Sequence, residues 1–226
     1  VLNAETITIP LSIKIDSDVL SFAVVKASDD AEEELGGDVN LTSSDLEFTF
    51  DKIKQTVGIR FDNVTLSRST SFDKAYIQFM SDEANDEATK LSIRIENVGH
   101  AKTFSDQPHN ISERELVKST VPWQHAPWDK INRALEEHRT PNLAAILRQV
   151  IARPDWKSGN AVAFVITGSG KRVAKTFSGD GKMAARLVVE TSDQLNGGEA
   201  HPTYAHTVRL YFAEPAEAEV GERLFG

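Results

Sequence analysis

Apolar and polar residues alternate with a period of two along most of the chain, which is the pattern of strands with one buried face. The first such segment, residues 5–15, places Ile and Leu side chains on one face and Pro10 on the other, so we predict a bulged or edge strand there. Further strands are predicted at residues 19–26, 38–42, 46–50, 56–62, 74–80, 90–97, 161–167, 185–190 and 207–213.

One segment has the period of an α-helix instead. Thr140 is a suitable N-cap, Pro141 suits the first helical position, and an apolar stripe follows until Pro154. This pattern predicts one main helix at about 141–153, and a weaker helical signal covers residues 128–137. Many short strands with polar turns and one capped helix indicate an all-β protein, an antiparallel β-sandwich of jelly-roll type.

The pattern of turn residues also divides the chain. Residues 1–190 are predicted to form the sandwich module, and residues 191–206, rich in turn residues and without periodicity, are predicted to be a linker. Residues 207–226 are either an extra strand of the sandwich or the start of a truncated second domain. The first residues lack an initiator Met and a signal peptide's apolar run, so we expect a mature or trimmed end.

Composition narrows the classes of partner. The formal charge is −9, which opposes binding of nucleic acid, and no apolar run is long enough to span a membrane. The chain has no cysteine, which excludes disulfides, thiolate catalysis and zinc sites built from cysteine.

Several motifs in order carry a resemblance. The segments "IRFDNVTLSRSTSFDKAYIQF" and "RTPNLAAILRQVIARPDWKSGNAVAFVITGSGKRVAKTFSG" resemble an uncharacterised β-sandwich module of secreted, multidomain bacterial proteins. The first of them is also similar to the core hairpin of jelly-roll carbohydrate-binding modules. The resemblance covers about residues 22–190 and implies an extracellular sandwich, without a known ligand.

The last residues carry a second resemblance. The stretch "TVRLYFAEP", followed by "GERLF", looks like the opening strands of a malectin-like carbohydrate-binding domain. Because such a domain is far longer than this stretch, we expect the chain to be a fragment of a larger secreted protein.

Two acidic clusters are candidate metal sites. Residues 29–34 and 82–87 are rich in carboxylates, which together with backbone carbonyls are the ligands that calcium prefers. The predicted ligands of one possible calcium ion are Asp29, Asp30, Glu32, Glu33, Asp82 and Glu83. The alternative is that both clusters are solvated loops.

Aromatic residues are candidates for sugar stacking. In the proline-flanked segment "VPWQHAPW", Trp128 is the best candidate for an exposed platform, and Tyr204 is a second one. The alternative is a core role, which we predict for Trp123 and Trp156 because tryptophan buries a large area.

Catalytic motifs are missing from the sequence. The segment "ITGSGKR" departs from the phosphate-binding loop pattern, so we predict a hairpin turn there with Arg172 bracing a carboxylate, and neither a zinc hydrolase motif nor a nucleophile elbow occurs. We therefore predict a non-enzymatic extracellular module that binds a polysaccharide or a cell-surface glycan. The alternative is a structural or adhesion subunit that assembles with other copies of itself by strand addition through residues 5–15.

Overall fold

The computed structural model describes residues 19–124 and 126–191. The strands in these residues are β1 (Val19–Ala23), β2 (Asp30–Glu34), β3 (Val39–Asn40), β4 (Asp45–Phe48), β5 (Phe50–Asp51), β6 (Ile53–Phe61), β7 (Phe72–Gln78), β8 (Lys90–Ile95), β9 (Val121–Trp123), β10 (Val162–Ser169), β11 (Arg172–Lys175) and β12 (Arg186–Thr191). The helices are α1 (Ala144–Ile151) and the single turn α2 (Phe177–Asp180), and short 3₁₀ turns occupy Ala27–Asp29 and Glu136–His138.

All strand pairings among the described residues are antiparallel. The larger sheet has the order β3-β2-β6-β10-β8-β9, and β5 forms a hairpin with the start of β6. A smaller sheet has the order β1-β12-β7, and β4 pairs with β11. The predicted all-β antiparallel sandwich with one main helix is therefore confirmed.

The larger sheet is buried on both faces, which explains why β10 reads as an almost continuous apolar run. On one face, Phe164 and Ile166 join the main core, to which the smaller sheet and α1 also contribute. On the other face, Ala163 and Val165 pack against Phe104 and Ile111, which belong to the long segment between β8 and β9. Successive side chains of a strand point to opposite faces, so covering both faces requires apolar residues at every position.

Aromatic side chains form the centre of the main core. The Phe48 ring lies 4.8 Å from that of Phe79 and 5.7 Å from that of Trp123, measured between ring centroids. Trp156 is also buried, and its indole Nε1 donates to the Leu66 carbonyl at 2.9 Å. The predicted core roles of Trp123 and Trp156 are confirmed.

The main helix starts later than predicted because Thr140 has another role. Its hydroxyl accepts the Ile77 N–H at 2.9 Å, which ties the chain before α1 to β7. The Asn142 side chain accepts the Ala144 N–H at 3.0 Å instead, at the first residue of α1. The weaker helical prediction at 128–137 is wrong apart from the 3₁₀ turn that ends at His138.

The hairpin predicted at residues 166–172 is also wrong. Strand β11 leaves the larger sheet and pairs with β4, so the turn connects two sheets. Its glycines permit close approach to the chain around β8, since a Cβ at Gly168 would lie 2.2 Å from the Lys90 carbonyl oxygen. Arg172 is buried and donates to the Asn85 side chain and to the carbonyls of Lys171 and Ala126, so it braces neutral acceptors and not a carboxylate.

Three sequence predictions lie outside the described residues. They are the strand at 5–15, the linker at 191–206 apart from its first residue, which belongs to β12, and the extra strand or second domain at 207–226. Strand β12 ends at Thr191, which is the last described residue.

Candidate functional site: a cleft beside Tyr76

A cleft of about 380 Å³ lies at the edge of the smaller sheet. One wall is the segment 136–142, which runs beside β7 and is held there by backbone hydrogen bonds from Phe79 N–H to His138 O and from Thr140 N–H to Ile77 O, both 3.0 Å long. The opposite wall contains Gln124 and Ala126, which follow β9. We call this cavity the Tyr76 cleft; its lining residues are Lys74, Tyr76, Trp123, Gln124, Ala126, Glu136, Glu137, Arg139, Thr140, Pro141 and Asn142.

Two cations lie close to the ring of Tyr76, which is largely buried. The Arg139 guanidinium carbon is 4.8 Å from the ring centroid, and the Lys74 ammonium nitrogen is 5.5 Å from it. The Arg139 Nε donates to the Gln78 side chain at 2.7 Å, which fixes the guanidinium plane. Lys74 is also paired with Glu190, at 2.8 Å.

Several polar groups of the cleft have no partner within the described part of the chain. They are the two terminal guanidinium nitrogens of Arg139, the Tyr76 hydroxyl, the Gln124 amide and the Glu136 carboxylate. Donors and acceptors therefore line the cleft together, beside an aromatic ring and the apolar Pro141. This combination suits a polyhydroxylated ligand, whose hydroxyl groups both donate and accept hydrogen bonds.

Trp128 is buried next to the wall of the cleft and is not an exposed platform. Its side chain is fully buried, and its indole Nε1 donates to the Glu137 carbonyl at 3.1 Å. Its ring lies 4.9 Å from that of His138, whose Nδ1 accepts the Leu135 N–H at 3.1 Å. Burial lowers the pKa of His138, so the imidazole is neutral and can accept that hydrogen bond at neutral pH. The prediction that Trp128 stacks on a sugar is therefore wrong, because the core offers this large side chain more contact area than the surface does.

Tyr204, the other predicted stacking residue, lies outside the described residues. The predicted segment "VPWQHAPW" does contribute to the cleft, through Trp123, Gln124 and Ala126. Sequence reasoning missed Tyr76 and Arg139, which lie far apart in the chain. The period-two pattern of β7 was the only sequence signal for Tyr76, and it does not distinguish a cleft from a core face.

The first acidic cluster is a buried strand, not a loop. Residues Asp30, Glu32 and Glu33 belong to β2, which pairs with β6 inside the larger sheet. Their side chains point alternately to the two faces, so they cannot converge on one calcium ion. The solvated-loop alternative is wrong for this cluster as well.

On the outer face of β2, the carboxylates are held by protein donors. Asp29, at the N-terminal end of this strand, receives two hydrogen bonds of 2.9 Å from the Arg60 Nη1, and both side chains are almost fully buried. The Glu33 carboxylate accepts the backbone N–H groups of Ile111 and Ser112 at 2.7 and 2.9 Å. These contacts anchor the long segment between β8 and β9 to the larger sheet.

On the inner face, the carboxyl groups are desolvated. Burial raises the pKa of Asp30 to about 7, although one of its oxygens accepts the Phe177 N–H at 2.7 Å. Burial, together with a hydrogen bond to the Glu47 carboxyl group, raises the pKa of Glu32 to about 9. The Glu47 N–H donates to Glu32 Oε1 at 2.6 Å, so this pair links β2 to β4.

The second acidic cluster remains at the surface. Asp82 pairs with Lys175, and Glu83 lies 3.3 Å from the Lys171 ammonium group. Across residues 19–124 and 126–191, no group of three or more acidic or histidine side chains is arranged to hold a metal ion. The six predicted ligands are thus not brought together, and calcium binding stays a prediction for the exposed loop at 82–87 alone.

Comparison with known proteins adds no assignment. No protein-family model matches the chain, and no curated protein matches it. None of the helices in the described part of the chain is both long enough and apolar enough to cross a membrane.

Proposed function

We propose that this chain is a non-catalytic module of a larger secreted protein and that it binds carbohydrate in the Tyr76 cleft. The observation that carries the proposal is the juxtaposition of Tyr76 with the unpaired guanidinium nitrogens of Arg139 and the exposed carboxylate of Glu136. Tyr76 is itself largely buried and lines the cleft, and the donors and acceptors beside it can pair with the hydroxyl groups of a sugar. A non-catalytic role is supported by the lack of any catalytic motif in the sequence.

Hydrogen bonds hold one wall of the cleft in place. The segment 136–142 is hydrogen-bonded to β7 through its backbone, and the side chains of Thr140 and Asn142 accept two further backbone N–H groups of β7. Arg139 is held from the Gln78 side. A site that is already formed spends little conformational entropy on binding.

A glycan array of the full chain, followed by calorimetry on the best ligand, tests the proposal. The variants Arg139→Ala and Tyr76→Phe each remove a donor from the cleft, and loss of one such hydrogen bond should weaken binding by about tenfold. The matched control is Arg94→Ala, since Arg94 is an exposed arginine on β8 that does not line the cleft. Thermal melts would show that all three variants are folded. Binding that is equal in wild type, Arg139→Ala and Tyr76→Phe would contradict the proposal.

Assembly by strand addition remains the second candidate. The observation that favours it is the position of β1 at the edge of the smaller sheet, where its outer side has no partner strand among the described residues. An open edge presents backbone donors and acceptors to another chain. Light scattering of the full chain and of a variant that lacks residues 1–16 tests this: concentration-dependent assembly that the deletion abolishes would support it, and a monomer at every concentration would contradict it.

A further inference from the structure

A second cavity, of about 790 Å³, lies over the outer face of the larger sheet. It is an open groove between the start of the 3₁₀ turn before β2 and the long segment that follows β8. We call it the donor groove and define it by Lys26, His100, Lys102, Gln107, His109 and Asn110. It shares no residue with the Tyr76 cleft.

Hydrogen-bond acceptors around this groove already accept from two largely buried arginines, Arg60 and Arg114. Arg60 donates to both oxygens of Asp29, to Asp62 and to the Ala101 carbonyl, at 2.9–3.0 Å. Arg114 donates to Glu96 at 2.7 Å and also to the backbone carbonyls of residues 102, 103 and 110. The carboxylates of Asp29, Asp62 and Glu96 are therefore neutralised by these two arginines.

The donors of the groove, in contrast, remain available. Lys26 and Lys102 are exposed, and neither forms an ion pair with any residue in the described ranges. The Nδ1 of His100 accepts the Ala161 N–H at 3.1 Å, so the hydrogen of the neutral imidazole is on Nε2. The Asn110 side-chain oxygen accepts from Ser105 N–H and Arg114, which leaves its amide NH₂ free to donate.

His109 is fixed in an unusual conformation at the side of the groove. Its φ is 61°, in the left-handed region, and its backbone N–H donates to the Gly37 carbonyl at 2.9 Å. The imidazole lies against Gly37, where an added Cβ would be 2.5 Å from two ring atoms. Non-glycine residues in this region are often found where a ligand is bound.

We propose that the donor groove binds the anionic group of an acidic oligosaccharide, a carboxylate or a sulfate. The two lysines supply the charge, and the neutral donors of His100, Gln107 and Asn110 supply hydrogen bonds to the oxyanion and to neighbouring hydroxyl groups. Two carboxylates line the groove: Glu96 is paired with Arg114, and Glu113 opposes the charge of the lysines, so the groove suits one or two anionic groups. The chain's net charge of −9 disfavours a long polyanion such as nucleic acid, which would extend beyond the groove.

Calorimetry of the full chain at low ionic strength tests this proposal. The probes are trigalacturonate, a sulfated trisaccharide and uncharged maltotriose. Wild type should bind at least one anionic trisaccharide, more weakly as salt is added, and should not bind maltotriose in this groove. The stronger of the two anionic ligands identifies the anion.

Variants locate the binding. Lys26→Gln and Lys102→Gln should each weaken binding by about tenfold, because each removes a charge-assisted hydrogen bond. The matched control is the double variant Lys157→Gln/Lys182→Gln, which removes two exposed lysines that do not line the groove. Tyr76→Phe should leave the binding of the anionic trisaccharide unchanged, which would show that this ligand binds in the donor groove and not in the Tyr76 cleft.

Three results would overturn the proposal. They are no binding of either anionic trisaccharide, equal loss in the Lys157→Gln/Lys182→Gln control, and tighter binding of a single-stranded DNA oligomer than of both trisaccharides.

Discussion

Glu32 is predicted to destabilise the folded protein at neutral pH, and Glu32→Gln should remove that effect. The side chain is buried in β2 against the Glu47 carboxyl group of β4, and burial raises the pKa of Glu32 to about 9. Glu32 therefore keeps its proton at pH 7 and donates it to Glu47. Glutamine has the same shape, accepts the Glu47 N–H with its oxygen, and donates to the Glu47 carboxylate with its amide.

The magnitude follows from proton linkage. An unfolded glutamate titrates near 4.5, so above that pH the unfolded chain releases a proton that the folded protein retains. Each pH unit between 4.5 and about 9 then lowers the free energy of unfolding by about 1.4 kcal/mol. The contribution of Glu32 is fully present below pH 4.5 and is lost as the pH rises. At pH 7 the accumulated loss is about 3 kcal/mol.

Denaturation in urea at a series of pH values between 4.5 and 8, followed by tryptophan fluorescence, measures this effect. The gain in the free energy of unfolding from Glu32→Gln should be near zero at pH 4.5 and about 3 kcal/mol at pH 7. Glu34→Gln is the matched control, because it makes the same change at an exposed position of the same strand and should not reproduce the gain. The reasoning is refuted if Glu32→Gln destabilises the protein at every pH, or if its effect does not change with pH, since Glu32 would then be ionised in the fold.

The remaining predictions concern the buried ion pair, Trp128 and calcium. Arg60→Met should lower the free energy of unfolding by about 3–5 kcal/mol because it removes the ion-pair partner of the buried Asp29 carboxylate, which keeps a hydrogen bond from the Thr103 hydroxyl, and adding Asp29→Asn should restore part of that loss. Chemical denaturation measures both changes, and a loss below about 1 kcal/mol would contradict the role given to this pair. Trp128→Ala should lower the free energy of unfolding by about 3–5 kcal/mol because it leaves a cavity in the core. Trp128→Phe, if folded, should bind glycan as wild type does. Loss of glycan binding without loss of stability in Trp128→Phe would show that Trp128 belongs to the binding site. Calcium at millimolar concentration should raise the melting temperature if the exposed loop at 82–87 binds it. The double variant Asp86→Asn/Glu87→Gln should abolish that shift. If calcium does not shift the melting temperature of wild type, the calcium hypothesis is wrong.

Much of the fold could be predicted from the sequence, because the pattern that indicates a strand or a helix lies in residues close together in the chain. Alternation of apolar and polar side chains predicted β6, β7, β8 and β12 to within a few residues. The strand predicted at 161–167 corresponds to β10, and the apolar stripe around residues 143–151 predicted the main helix. These patterns record which side of each element is buried, and they need no knowledge of the partner.

The sites could not be read in the same way, because the burial of a polar side chain depends on what lies opposite it. The acidic residues of β2 look like a solvated loop until their partners are known, and those partners lie 31, 15 and 78 positions away in the chain, at Arg60, Glu47 and Ile111. A carboxyl group can enter a core only when such donors, or a retained proton, replace its water.

The cleft and the groove have the same origin. The Tyr76 cleft exists because the segment 136–142 returns to β7 from beyond β9, and the donor groove exists because the long segment after β8 folds back over the larger sheet. The sequence by itself determined that strands and one helix form, since each is encoded in the spacing of neighbouring residues. Only the tertiary structure decided that Trp128 is buried while Arg139 and Lys102 face a cavity, since that depends on contacts between distant parts of the chain.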